Sequence, residues 1–69
     1  MRILLRNRKT GQFFQLPDHW TDDPELAFEF QHGREAAKLA REKGFEKAEI
    51  LLAFDNPHLN IRLPVRRNP

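Results

Sequence analysis

The chain has 69 residues, a formal net charge of +2 and no cysteine. That length holds one domain with a thin hydrophobic core, and the missing thiols exclude disulfides and thiolate metal sites. Serine is absent as well, so Ser- and Cys-nucleophile chemistry is excluded by composition.

Arg2, Arg6, Arg8 and Lys9 crowd the start of the chain, and no signal-peptide core follows them. The longest apolar run, Ile50 to Phe54, has five residues, against about 20 for a membrane span. A soluble, cytoplasmic protein with no membrane partner is expected. Charge is unevenly placed. Residues 11–31 hold five anions and no cations, whereas residues 1–10 hold four cations and no anions. If the two basic ends meet in space, they form a basic patch.

Residues 2–7 alternate, with Ile3 and Leu5 set against Arg2, Leu4 and Arg6, which predicts a half-buried strand. Lys9-Thr10-Gly11 supplies a turn, and Gln12 to Leu16 returns as a second strand with Phe13 and Phe14. Pro17-Asp18-His19-Trp20 reads as a break. Asp23 then caps a helical turn over 24–28 with Pro24 at its first position. Phe28 and Phe30 suggest a brief extended piece, with Trp20, Ala27 and Phe30 as buried residues.

Residues 34–43 form the one full helix, rich in strong helix formers. Gly44 ends it, Phe45 supplies the usual hydrophobic contact, and Glu35 is placed to pair with Lys38. Gly33, Ala36, Ala37, Ala40 and Gly44 give one side small enough to lie close to a sheet. Lys47 to Phe54 reads as a central strand, apolar on both faces midway. Asp55-Asn56-Pro57-His58 is a turn, and Leu59 to Leu63 alternates as a last strand ended by Pro64. The fold class is therefore α+β: an antiparallel sheet of about four strands, ββαββ, with one main helix on one face. Residues 1–65 make the single domain, and 66–69 a frayed tail.

The run Trp20-Thr21-Asp22-Asp23-Pro24, then Ala27 and Phe30, then Ala36-Ala37 and Ala40 with Gly44, resembles a pattern in small uncharacterised bacterial and phage single-domain proteins. There a tryptophan follows a strand and an alanine-rich helix ends in glycine. The likeness covers residues 11–45. It implies a bacterial or phage origin and a compact domain, and it transfers no functional site.

Asp18, His19, Asp22, Asp23 and Glu25 invite a metal, since carboxylates and an imidazole bind divalent ions. Their spacing fits no calcium loop, and caps and turns explain them more simply. His19, His32 and His58 fall in connections, and none is paired with a nucleophile. Gly11, Gly33 and Gly44 are isolated and make no phosphate loop. Arg34, Lys38 and Arg41 lie along the outer side of the helix. No catalytic residue, cofactor or metal is expected.

The best candidate surface is a basic strand face: Arg2, Leu4, Arg6, Phe13 and Arg62. Arginine and phenylalanine are favoured at protein interfaces. A non-catalytic binding or regulatory module is the first expectation, its partner another protein or a second copy of itself. Single-stranded nucleic acid on the same face is the alternative. A small carboxylate- or metal-dependent enzyme comes third.

Overall fold

A computed structural model describes residues 1–65, and the tail expected at 66–69 lies outside the described residues. One antiparallel sheet and one α-helix make an α+β fold. The strands are β1 (Arg2–Asn7), β2 (Phe13–Gln15), β3 (His19–Thr21), β4 (Ala48–Ala53) and β5 (Ile61–Pro64). Their order across the sheet is β3-β2-β1-β4-β5. The helix α1 (Gly33–Lys43) packs on β1 and β4.

The sheet has five strands rather than four. The extra one is β3, where the sequence reads as a break. Pro17 sits in the loop between β2 and β3, so it removes no ladder hydrogen bond, and His19 and Trp20 are free to pair with Gln15 and Phe14. The last strand begins at Ile61 because Pro57–Leu59 form a 3₁₀ turn first. It keeps Pro64 as its final residue. The Val65 amide bonds to the Ala48 carbonyl, so alternation turns the Pro64 nitrogen to the free edge, where a missing N–H costs nothing.

β1 and β2 pair only at Arg6 and Phe13 and then diverge. The chain fills that gap with the extended piece around Phe28 and Phe30. The Phe28 amide bonds to the Phe14 carbonyl and the Phe30 amide to the Ile3 carbonyl, each at 2.8 Å. The main-chain groups freed by the divergence are thereby satisfied.

The core lies between sheet and helix. Leu5, Phe14, Ala36 and Ala40 are fully buried, with Phe30, Ala48 and Ile50 beside them. Phe14 is the hub: the rings of Trp20, Phe45 and Phe30 lie 5.8, 6.1 and 6.5 Å from it. Phe30 is buried as expected, whereas Trp20 and Ala27 are only half-buried. Trp20 stacks edge-on against Phe45 but keeps one side in water, because β3 is the outer strand.

Gly44 closes the helix at φ 71°, and the Phe45 amide reaches back to the Ala40 carbonyl at 2.9 Å. The other end differs from the expected pairing. Glu35 does not pair with Lys38; its carboxylate accepts the His32 backbone N–H at 3.1 Å, and Lys38 lies 3.9 Å from Glu42. A carboxylate in the first turn satisfies an otherwise orphan donor there, which outweighs an exposed ion pair.

Candidate binding groove

Strand register settles which side chains share the face away from α1. Arg6 lies opposite Phe13, Leu4 opposite Leu51, and Leu51 opposite Arg62. Residues opposite one another point to the same face. Arg2, Leu4, Arg6, Phe13 and Arg62 therefore all stand together, with Glu49, Leu51 and Ala53 of β4 between them. β4 separates the first and last strands, so Arg6 and Arg62 flank it from either side.

This face is not the flat, solvated basic surface expected. Leu4 is only 1% exposed and Leu51 7%, although both point away from the helix. They form the floor of a groove. Its walls are two 3₁₀ turns, Pro24–Leu26 and Pro57–Leu59. The turns are built alike. Asp23 and Asn56 precede the prolines, and each side chain accepts the backbone N–H two residues on, at 2.9 and 3.1 Å. The Asn60 side chain accepts the Phe54 amide at 2.8 Å and ties the second wall to β4. Arg2 donates to the Pro24 carbonyl at 2.9 Å and ties the first wall to β1.

One end of the groove, about 540 Å³, is lined by Arg6, Phe13, Leu51, Pro57, Asn60 and Arg62. The other, about 460 Å³, shares Phe13, Leu51, Pro57 and Asn60 and extends past Ala53 to Glu25 and Asp55. The two ends adjoin along these four shared residues.

The charges are partly satisfied within the fold. Arg6 Nη1 meets Glu49 Oε2 at 2.6 Å, with the Glu49 side chain 7% exposed and that of Arg6 24%. Burial of the carboxylate demands this partner. Arg2 lies 3.8 Å from Glu29 in addition to its carbonyl bond. Arg62 is exposed and has no ion pair among the described residues.

The acidic cluster lies elsewhere and is dispersed. Asp18 pairs with Lys43 at 2.6 Å, Asp23 caps its turn, and Thr21 Oγ1 accepts the Asp23 amide at 3.1 Å. His19 stands on β3, not in a connection, while His32 precedes α1 and His58 lies in the second 3₁₀ turn. Among the described residues, no three His, Asp or Glu side chains converge as a metal-ligand set. Among them, too, no helix is long and apolar enough to cross a membrane.

Compared with protein-family models, with curated proteins and with solved structures, the chain matches none.

Sequence reasoning placed five residues of this face and missed Glu49, Leu51 and the walls. The signals exist. An acid inside an apolar strand needs a cation opposite, and the Asp23-Pro24 and Asn56-Pro57 steps mark two turns, one after β3 and one between β4 and β5.

Proposed function

We propose that this domain is a non-catalytic protein-binding module, and that the groove on the helix-free face of the sheet receives the partner. One observation carries the reading: a depression with half-exposed Phe13 and Ala53 above buried Leu4 and Leu51 lies between two side-chain-capped turns, with arginine at one end. Binding sites are concave, mostly apolar and equipped with a few placed polar groups. The nucleic-acid alternative draws less support. Arg2 and Arg6 are already engaged by Glu29 and Glu49, which leaves Arg62 as the free phosphate contact on this face.

Ala53 is half-exposed on the groove floor, so Ala53→Lys obstructs the groove without opening the core. Short random peptides displayed on phage and selected on the wild-type protein should lose binding to Ala53→Lys. They should retain it with Arg34→Ala on the outer side of α1. Equal retention by both variants would remove the groove from the reading.

A second surface supports a second reading. Leu59, Ile61 and Leu63 are 60%, 46% and 43% exposed at the β5 margin, beyond the cover of α1. A second copy of the chain is the occupant favoured there, in weak association at high concentration only, since exposed apolar stripes promote association.

A further inference from the structure

The groove is electrically polar along its length. At one end two arginines line the groove, Arg6 opposite Glu49 and Arg62 opposite Leu51. The Arg6–Glu49 pair is internally balanced, so Arg62 is the surplus positive charge. At the other end Glu25 and Asp55 accompany Arg2, which is already held by Glu29, and a negative charge is in surplus. Along β4 the distance from Leu51, opposite Arg62, to Asp55 is four residues, or about 13 Å of extended chain. Apolar side chains occupy the floor between.

Shape narrows the occupant. The depression lies between two 3₁₀ turns that both line it, a shape that suits a single extended segment better than a flat sheet face. Charge narrows it again. A polyanionic strand would meet Glu25 and Asp55 at the far end of the groove and gain one free arginine.

Resting on the protein-binding reading above, we infer that the groove takes an extended peptide with an acid, an aliphatic residue and a base in that order of position. The acid meets Arg62. The aliphatic side chain lies against Phe13 and Ala53, the half-exposed apolar residues of the groove. The base, about four residues from the acid, meets Glu25 and Asp55. Charge-assisted hydrogen bonds at both ends fix the direction of the peptide.

The test uses the full chain and the same displayed random peptides. Selected peptides are expected to share an aliphatic residue with an acid on one side and a base on the other. A synthetic peptide of the selected sequence should bind Arg62→Glu about tenfold more weakly than wild type. Its charge-reversed acid position, replaced by lysine, should recover affinity for Arg62→Glu and not for wild type. Circular dichroism melting checks that the exposed substitution leaves the fold intact. Selected peptides that lose binding to Ala53→Lys yet share no charge pattern would overturn this inference and leave the groove reading standing. Failure to select any peptide, together with single-stranded oligonucleotide binding that weakens with salt, would overturn both.

Discussion

Arg6 and Arg62 share a face and should respond unequally to truncation. Arg6→Ala leaves the Glu49 carboxylate, whose side chain is 7% exposed, without its partner. A fully buried broken pair costs more, but Arg6 itself is a quarter exposed and water can approach, so a loss of about 2 kcal/mol is expected. Arg62→Ala, on an exposed edge-strand position, should change stability by less than about 0.5 kcal/mol. Urea denaturation of both variants checks this, and equal losses would contradict the assigned Arg6–Glu49 pair. The same contrast marks what alternation alone can reveal. Period-two patterning put Leu4 outward correctly, but it could not show that the outward face is itself walled and that Leu4 is 1% exposed there. Glu49 looked like an ordinary outward acid because its partner lies 43 positions away in the chain.

Among the elements, the helix and its cap were legible because their signals are local. Ala-rich composition and a terminal glycine act within one turn. Gly44 at φ 71° has no neighbour within 4 Å of a built Cβ, so Gly44→Ala carries backbone strain alone, about 1 kcal/mol or somewhat more. Gly33→Ala would place its methyl 3.9 Å from Ile50 Cδ1, an ordinary contact, and should cost little or nothing. Thermal melts should show a drop of several degrees for Gly44→Ala and little change for Gly33→Ala; the reverse order would contradict the cap geometry. β3 was not legible. Its three residues follow Pro17, and they become a strand only because β2 offers an edge and Phe14 a ring for Trp20. The inserted piece around Phe28 and Phe30 was visible as two aromatics in alternation. Its purpose, closing the split between β1 and β2, depends on tertiary structure.

At the scale of the molecule, Phe13 is half-buried at the groove and offers no fully exposed ring for a second copy of the chain. Leu59, Ile61 and Leu63 are the exposed apolar residues that gather at the β5 margin, while Met1, Leu16 and Leu26 are exposed elsewhere. Three partly covered side chains fall well short of the ~800 Å² per partner of a stable interface. The β5 edge adds little, since Pro64 presents no outward N–H and an antiparallel copy would set Arg62 against Arg62. Sedimentation should therefore find a monomer at micromolar concentration, with mass rising only toward millimolar; a tight dimer at micromolar concentration would contradict this. The central claim, that the helix-free face of the sheet is the binding surface, has a direct measurement. Methyl resonances of Leu4, Leu51 and Ala53 report the groove, and those of Leu39, Ile61 and Leu63 report the helix side. On titration with a selected peptide, the groove methyls should shift together and saturably while the helix-side methyls stay in place. Shifts centred on Leu39, Ile61 and Leu63, with Leu4 and Leu51 unmoved, would contradict it.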